Sequence, residues 1–316
     1  MSVNFMTNAT KGTDGAHYVP TTITELSGMI GKIAEQVIRE VTAENHLSMF
    51  EKRPITNGDT VEQAVTTLAT SQAYDKDGTY TLARQDPTLA VRYFNSWTRA
   101  TFKTTVDTSL IRKVLETGKG VEEISSKIVA ELNEGDTQEK YEAIKSLLKW
   151  GRQDQTGKAL VKLDNIAYNN GIDYQALLVQ LKDTVKGMQF VNTTYNGASL
   201  KRRTRKDDIV IVMPYKLKNR VDVEELAGVF NLDKAEIKDH IVEVDVDVEE
   251  ISGQDCYPVY VVDKNAILVY TRLYEMVDQK NAEGYFWNYF LQVERMFAIS
   301  QLFDGCYFFV EAEASA

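Results

Sequence analysis

Residues 53–107 contain long strand-like segments with nothing of their own to cover them, and this restricts the fold more than any other feature of the sequence. Asn-Gly and Asp-Gly turn signals occur here, and from Leu89 the apolar side chains alternate along the chain. The pattern predicts strands at about residues 60–70 and 89–106, joined by a polar tip at residues 74–86. Because a two-stranded ribbon cannot bury a face by itself, the sequence predicts that a partner subunit covers it.

The segment before this ribbon divides into a polar arm and an amphipathic helix. Residues 1–20 are polar and contain glycine, which favours an extended arm. Thr22 and Glu25 match a capping box, and apolar residues then recur at helical spacing as far as about Leu47. The arm has too little apolar surface to offset the loss of backbone entropy, so we expect a neighbouring subunit to order it.

Glycine residues separate three predicted helices after the ribbon. The first is expected to end at Gly118 and the second near Gly135, where the helical spacing of apolar residues gives way to a helix-ending residue. Asp136 is expected to cap the third helix, which ends at Gly151. A further helical pattern covers residues 174–185.

The second half of the chain alternates between short apolar segments and helical patterns, which predicts a mixed α/β region. The predicted strands are residues 209–213, 241–248, 259–262 and 266–270. Pro214 is expected to stop the first strand, and Asp222 with Glu225 to cap the helix that follows. The aromatic-rich segment around Asp304 predicts a long antiparallel hairpin that closes the core.

Alternating carboxylates on one of these strands raise the question of a metal site. The acids are Glu243, Asp245, Asp247 and Glu249, and a valine precedes each of them. A continuous strand would carry them all on one face, and paired carboxylates can hold a divalent cation, which leaves open a metal-dependent phosphodiesterase that uses Asp245 and Asp247. Ligands on one strand point in parallel and do not converge, so we expect the solvent face of an edge strand and no metal site.

Residues 201–206 form a basic cluster that has two alternative interpretations. Two aspartates follow it directly and it contains no aromatic residue, which argues against stacking on nucleic-acid bases. The cluster is either a solvated loop or a contact with the acidic segment 222–255 of another subunit. That segment holds twelve acids and two lysines, so its balance of −10 equals the net charge of the whole chain.

Composition argues against several classes of function. An acidic chain does not bind a polyphosphate by bulk electrostatics, so sequence-specific DNA binding is not expected. Three histidines are few for an enzyme, and without a phosphate-binding glycine loop or a nucleophile elbow the sequence predicts no catalytic residue and no cofactor. Cys256 and Cys306 lack metal-binding spacing and are expected to be core residues. No apolar run approaches the roughly 20 residues of a membrane helix, so no membrane association is expected.

Five short segments resemble, in the same order, segments of one known family. They are residues 207–214, 222–231, 261–270, 287–291 and 303–309, which read DDIVIVMP, DVEELAGVFN, VVDKNAILVY, WNYFL and FDGCYFF. With the order of arm, helix, ribbon, helices and mixed region, they resemble the major capsid proteins of tailed bacteriophages, whose fold encapsulins share. The resemblance implies an α+β major-capsid fold with an N-terminal arm, an extended β-ribbon loop, a long spine helix, and peripheral and axial domains.

The resemblance also assigns a role to each part of the chain. It implies an N-terminal arm (1–22), an N-terminal helix (23–52), an extended loop (53–107), a peripheral domain with the spine helix (108–158), an axial domain (159–275) and C-terminal strands that return to the peripheral domain (276–316). The candidate contacts between subunits are Tyr74, Lys76, Tyr80, Arg84, Trp97, Arg202, Arg203 and Arg205.

The function implied by the resemblance is structural. The chain is expected to assemble into the hexamers and pentamers of an icosahedral virion shell, built in the host cytoplasm around double-stranded DNA whose sequence it does not read. A separate scaffolding protein and a portal are the implied partners, because the amphipathic helix begins by about residue 22. The alternatives are an encapsulin-type nanocompartment, the metal-dependent phosphodiesterase described above, and a tail or baseplate binding module.

Overall fold

The structure is a computed structural model of the chain. It describes residues 10–12, 15–17, 42–69, 71, 76, 86, 89–107, 118–153, 159–168, 173–224, 241–246, 248–251, 254–284 and 286–312. The chain divides into two compact units. Unit 1 comprises Met1–Glu44, Arg99–Glu139 and Leu273–Val293, and unit 2 comprises Asn45–Thr98, Lys140–Arg272 and Glu294–Ala316.

The described residues contain helices and strands, as the α+β prediction requires. The strands are β1 (Thr10–Gly12), β2 (Gly15–His17), β3 (Val61–Thr66), β4 (Leu89–Phe94), β5 (Trp97–Val106), β6 (Val161–Lys162), β7 (Ile209–Pro214), β8 (Ile241–Val244), β9 (Glu249–Ile251), β10 (Gln254–Asp263), β11 (Ile267–Lys280), β12 (Trp287–Ile299) and β13 (Gly305–Glu311). The helices are α1 (Gly118–Gln153), α2 (Tyr174–Gln189) and α3 (Tyr215–Glu224), and 3₁₀ turns lie at Ser48–Phe50 and Lys206–Asp208. Among these helices, none has the length and apolar character needed to span a bilayer.

A six-stranded sheet forms the centre of unit 2. Its order is β6-β13-β10-β7-β8, and β9 pairs with the start of β10. Strand β10 is antiparallel to both β13 and β7, whereas β7 with β8 and β13 with β6 are parallel pairs. All six residues of β7 are buried, as expected for a strand that is covered on both faces.

Two apolar clusters cover the two faces of this sheet. On one face, Val210 of β7 belongs to a cluster with Ile144 and Leu148 of α1. On the other face, Ile211 belongs to a cluster with Leu177 of α2. Because successive residues of a strand point to opposite faces, the unbroken apolar run in β7 supplies side chains to both clusters.

A smaller apolar cluster belongs to unit 1. Leu132 of α1 packs with Leu291 and Val293 of β12, and Phe102 of β5 lies against them. Strands β11, β12 and β5 pair in that order in a three-stranded sheet, and β1 pairs with β2.

Several elements predicted from the sequence are confirmed. Strands β7 and β10 contain the strands expected at residues 209–213 and 259–262. Helix α2 covers the helix expected at residues 174–185, and the side chain of Asp173 accepts a hydrogen bond from Ala176 N at 2.9 Å, which caps it. Both cysteines are free and buried, in agreement with the expectation that they are core residues.

The prediction that the second and third helices after the ribbon are separate is wrong, whereas the first predicted helix, apart from its end at Gly118, lies outside the described residues. Helix α1 has 36 residues; it begins at Gly118, where the sequence predicts the end of the first helix, and passes through Gly135 without a break. Asp136, the expected cap of the third helix, lies inside α1 and is 1% exposed. A glycine inside a helix costs only about 1 kcal/mol relative to alanine, which the packing of residues such as Ile144 outweighs.

The N-terminal helix prediction falls largely outside the described residues, which include none of residues 18–41. Residues 42–47, where the helix is expected to end, are not helical. Asn45 Oδ1 instead accepts a hydrogen bond from Leu47 N at 3.0 Å. Such a local side-chain bond offers the backbone an alternative to the helix.

Helix α3 begins earlier than its predicted cap. It starts at Tyr215, directly after Pro214, so Asp222 lies within the helix and does not cap it. Pro214 has no backbone N–H, and the residue just before a helix does not need one. Glu225 lies outside the described residues.

The second strand of the predicted ribbon is two strands in different sheets. Strand β4 ends at Phe94, and β5 begins at Trp97, whose backbone N–H donates to Asn95 O at 3.1 Å. Strand β4 pairs with β3, whereas β5 pairs with β12. The polar pair Asn95 and Ser96 interrupts the apolar alternation and marks the change of sheet.

The predicted C-terminal hairpin is also wrong. Strand β12 pairs with β11 and β5, whereas β13 pairs with β10 and β6. Between them, the carbonyl of Asp304 accepts a hydrogen bond from Asp263 N at 2.8 Å, at the end of β10. Aromatic density correctly marks burial here, but it does not specify which strand is the partner. The division of the chain into six functional segments stays a prediction.

Candidate subunit-contact surfaces

The β3–β4 ribbon has an inner face, which is directed at the rest of unit 2, and an outer face, which no described residue covers. Opposite residues of an antiparallel pair share a face, and Glu62↔Tyr93 and Thr66↔Leu89 are pairs on the outer face. Tyr93 is 64% exposed and Leu89 57% exposed. An apolar stripe of this kind is typical of a surface that meets another molecule.

The inner face of the ribbon is held by polar contacts within unit 2. Gln63 Nε2 donates to Asn265 O at 3.2 Å, and Arg92 hydrogen bonds to the side chain of Gln301. The Arg92 guanidinium also lies over the Phe94 ring, 5.9 Å from its centroid. These contacts hold the inner face of the ribbon against the rest of unit 2, so its outer face points away from the rest of that unit.

The ribbon tip supplies four of the candidate contact residues. Tyr74, Tyr80 and Arg84 lie outside the described residues, and Lys76 is exposed. Their role in subunit contacts stays a prediction.

Trp97 is used within its own chain. Its indole N–H donates to Asp59 O at 2.6 Å, and the guanidinium of Arg272 stacks 5.0 Å from its ring centroid. Arg272 in turn pairs with Glu294 at 2.7 Å. The side chain therefore braces the base of the ribbon, and its expected contact with a neighbouring subunit stays a prediction.

The solvated-loop interpretation of the basic cluster is wrong for Arg202. Its side chain is 13% exposed, and Nη1 donates to Leu302 O at 2.6 Å. Nη2 donates to Asp263 Oδ2 at 3.1 Å, and the guanidinium lies 4.2 Å from the centroid of the Phe303 ring. Arg202 is thus held by contacts within its own chain, and its expected contact with a neighbouring subunit stays a prediction.

Arg203 and Arg205 point the other way. Both are exposed, whereas Thr204 between them is 2% exposed. The backbone at Arg205 is extended, with φ −71° and ψ 147°, and extended chain sends successive side chains to opposite sides. A sequence of six consecutive basic or polar residues hides this alternation, because charge alone does not show which side chains pair internally. Arg203 and Arg205 remain candidate contacts between subunits.

The carboxylates of segment 243–249 do not share a face. Strand β8 ends at Val244 and forms an edge of the six-stranded sheet. Glu243 pairs with Lys218, and Glu249 pairs with Arg152 at 2.5 Å. Asp247 lies outside the described residues. Glu243 therefore pairs with α3, whereas Asp245 and Glu249 pair with Lys145 and Arg152 of α1. With the end of β8 at Val244, this corrects the expectation of one continuous acidic strand face.

Asp245 occupies the most structured of these positions. Lys145 Nζ donates to Asp245 Oδ1 at 2.9 Å, and the Tyr141 hydroxyl donates to the same atom. Burial alone would raise the pKa of Asp245, but these hydrogen bonds hold it below its ordinary value. Burial and the bond to Asp245 raise the pKa of Tyr141 to about 12. An ionised carboxylate that is engaged by both a lysine and a tyrosine is a structural anchor.

A cavity of about 350 Å³ lies beside these ion pairs in unit 2. Its charged lining includes Lys145, Lys149, Asp245 and Glu249, which pair with one another or with adjacent residues. The described residues contain no group of three histidine, cysteine or acidic side chains placed to hold a metal ion.

Comparison with known proteins identifies one family. A profile of the Phi29-like phage major capsid protein family matches residues 3–309. The major capsid protein of Bacillus phage GA-1 is 23% identical over 287 residues, which cover 89% of this chain and 59% of that protein. The major capsid protein of Streptococcus phage Cp-1 is 24% identical over 308 residues, which cover 91% of this chain and 82% of that protein.

Solved structures that resemble this chain include chains from phage capsids. A chain in the capsid structure of Staphylococcus phage Andhra has a TM-score of 0.72 and 14% identity, with coverage of 98% of this chain and 92% of that chain. A chain in the capsid of Ralstonia phage GP4 has a TM-score of 0.62 and 11% identity, with coverage of 90% and 95%. The present chain spans 59% and 61% of the length of the GA-1 and Bacillus phage PZA proteins, which is less than two thirds.

Proposed function

The chain belongs to the family of Phi29-like phage major capsid proteins, and from that premise we propose that it is the structural subunit of the icosahedral head shell of a tailed phage. The observation that carries the proposal is the match of the family profile over residues 3–309, which is almost the whole chain. The role is structural and the place of action is the virion.

The fold expected from the resemblance is confirmed by the likeness to the Andhra capsid chain. The alternatives have less support. The relatives named above are major capsid proteins, which favours a phage shell over an encapsulin compartment or a tail module. The phosphodiesterase alternative needs convergent carboxylates, and Asp245 is instead bound to Lys145 and Tyr141.

The outer face of the β3–β4 ribbon is the part of the subunit that best fits a contact with a neighbouring copy. Leu89 and Tyr93 are both more than half exposed on this face. Burial of a large apolar side chain contributes roughly 1.5–3 kcal/mol. The same contact recurs in every subunit of a closed shell, so a modest energy per ribbon becomes a large energy per particle.

Further parts of the proposal concern regions and partners. The arm at residues 1–22 and the ribbon tip at residues 74–86 are ordered by neighbouring subunits, because both are polar and turn-rich in sequence. The segments 108–158 and 159–275 supply the peripheral and axial domains, and residues 276–316 the C-terminal strands. The subunits form hexamers and pentamers around double-stranded DNA, with a separate scaffolding protein and a portal as partners.

The proposal is tested by particle formation. The full chain is expressed with and without the double substitution Leu89→Ser and Tyr93→Ser, and particles are counted by light scattering and negative-stain microscopy. Val179→Ser is the matched control, since Val179 on α2 is 58% exposed and Leu89 is 57% exposed. We expect shells from the unsubstituted chain and from Val179→Ser, and loss of shells from the ribbon variant.

One result would contradict the shell function, and another would contradict the role of the ribbon in it. A chain that stays monomeric under every assembly condition, including with its own phage's other head proteins, would count against a shell subunit. Normal shells from the ribbon variant would leave the shell function intact and remove the ribbon from the contact.

A further inference from the structure

A buried polar cluster in unit 2 contains two carboxyl groups that the proposed function does not use. Asp263 ends β10 and is 2% exposed, and Asp304 lies just before β13 and is 0% exposed. Thr204 is also 2% exposed and lies between the two side chains. The cluster joins three parts of the chain that are far apart in sequence.

When both acids are ionised, the cluster has too few hydrogen atoms to make a hydrogen bond at each of its oxygen–oxygen contacts. Thr204 Oγ1 lies 3.2 Å from Asp263 Oδ2 and 2.7 Å from Asp304 Oδ2. A hydroxyl has one hydrogen and donates it to one acceptor, and an ionised carboxylate has none to return. One of the two contacts would then place two oxygens together with no hydrogen between them. A protonated carboxyl supplies the missing hydrogen.

The balance of charges also indicates that one of the two carboxyl groups is protonated. Arg202 is the cation that contacts both acids, with Nη2 3.1 Å from Asp263 Oδ2 and Nε 3.7 Å from Asp304 Oδ2. Two carboxylates against one guanidinium leave one negative charge in a site that water does not reach. A buried charge without a partner is costly, and such a group takes up a proton instead.

The remaining donors define which oxygens face each other. Asn265 N and Nδ2 donate to Asp263 Oδ1 at 2.8 and 3.1 Å. Asn196 Nδ2 donates to Asp304 Oδ1 at 3.2 Å. The amide donors thus occupy the Oδ1 atoms and leave the two Oδ2 atoms to share Thr204 and Arg202.

Further charged groups lie near the cluster, and one of them, Lys52, interacts with Asp263: burial lowers the pKa of Lys52, and the negative charge of Asp263 offsets part of this. Lys52 Nζ donates to Lys264 O at 2.8 Å, and Lys264 Nζ donates to Asp207 O at 2.8 Å. The charge of Asp208 opposes ionisation of Asp263. Burial raises the pKa of Asp263, and the hydrogen bond from Asn265 N, the charge of Arg202 and the contact with Thr204 offset this only in part.

We infer that Asp263 and Asp304 hold one proton between them through the Thr204 hydroxyl, so that mild acid strengthens this junction of unit 2. Asp263 Oδ2 donates to Thr204 Oγ1, and the Thr204 hydroxyl donates to Asp304 Oδ2. A carboxyl whose pKa is higher in the folded chain than its unfolded value of about 3.9 binds more protons when folded. Its stabilising effect is complete below the unfolded value and is lost as pH rises through the folded value.

The test is the pH dependence of urea unfolding of the unassembled full chain from about pH 4 to about pH 8. The unfolding constant of the unsubstituted chain should rise with pH by up to tenfold per unit within the titration window. Asp263→Asn removes the carboxyl that holds the proton, and Asp304→Asn removes the second negative charge of the cluster, so each substitution should flatten this rise. Asp207→Asn, which removes a neighbouring exposed carboxylate, and Thr204→Ser, which keeps the hydroxyl, should both retain it.

A second measurement does not depend on the folding of any variant. The infrared spectrum of the unsubstituted chain should show the carbonyl band of a protonated carboxyl above about pH 5, where ordinary aspartates are ionised. The band should fade as pH rises. A rise in the unfolding constant that survives both asparagine substitutions, or the absence of this band, would overturn the inference.

Discussion

The six-stranded sheet of unit 2 and the β3–β4 ribbon differ in how completely their residues are buried. All six residues of β7 and six of the seven residues of β13 are buried. Strands β3 and β4 contain no fully buried residue. A strand that is apolar at every position finds cover on both faces within its own subunit, whereas one that is apolar at alternate positions leaves a face for another molecule.

The largest effect of a single substitution should come from the sheet. Phe308 in β13 is 0% exposed, and Phe308→Ala should lower the free energy of unfolding by about 3–5 kcal/mol through lost burial and a residual cavity. Phe190→Ala is the control, because Phe190 is 71% exposed and its loss should change the same quantity by less than about 0.5 kcal/mol. Urea unfolding of the unassembled chain measures both. Similar losses of unfolding free energy in the two variants would contradict the claim that burial in the sheet causes the loss at Phe308.

Two glycines sharpen the comparison, because one is limited by packing and the other by backbone conformation. A Cβ at Gly305 would lie 2.7 Å from Leu160 Cδ2, so Gly305→Ala should destabilise the chain by about 1–3 kcal/mol. Gly58, which precedes the ribbon, has φ +96°, and a Cβ added there would meet no described atom within 4 Å, so Gly58→Ala should cost about 1 kcal/mol from strain alone. Thermal unfolding of both variants provides the measurement. A larger loss of stability in Gly58→Ala than in Gly305→Ala would contradict the assignment of Gly305 as the position that is limited by packing.

Substitution of the exposed arginines at positions 203 and 205 should have a smaller effect, and that effect should be on shell assembly. The double substitution Arg203→Ser and Arg205→Ser should make shell assembly more sensitive to salt, because each exposed ion pair contributes at most about 1 kcal/mol and is screened. The assembly threshold is measured by light scattering across ionic strength. An unchanged threshold would reject a role for these arginines between subunits.

The smallest effect should come from the ribbon in the absence of partners. In the unassembled chain, Leu89→Ser with Tyr93→Ser should change the free energy of unfolding by less than about 0.5 kcal/mol, since both side chains already meet solvent. Urea unfolding checks this. A loss of several kcal/mol would mean that the outer face is covered within the subunit.

The local sequence predicted two kinds of element: helices with a regular spacing of apolar residues, and strands that are buried on both faces. The unbroken apolar run of β7 and the helical spacing of apolar residues in α2 are visible without knowledge of the partner. The failures at α1 and at the C-terminal hairpin share a physical cause, which is packing between distant segments. Gly135 does not end α1, because tertiary contacts outweigh its weak helix preference.

The candidate sites were predictable to a smaller extent. The uncovered apolar face of the ribbon follows from the alternation that begins at Leu89. The internal position of Arg202 could not be read from sequence, because its partners Asp263 and Asp304 are brought to it by two separate strands. A signal was present nonetheless, since Thr204 interrupts the basic run and extended chain places it on the same side as Arg202.

Strand β13 lies between β6 and β10, although it is the last described strand in chain order. A ribosome adds roughly 5–20 residues per second, so β6, β7 and β10 leave it well before β13 does. During that interval β6 lacks its neighbour in the sheet and β10 presents one row of unpaired backbone groups. Such a row is a template for pairing with other chains. The nascent chain is therefore most vulnerable to aggregation just before its synthesis supplies β13.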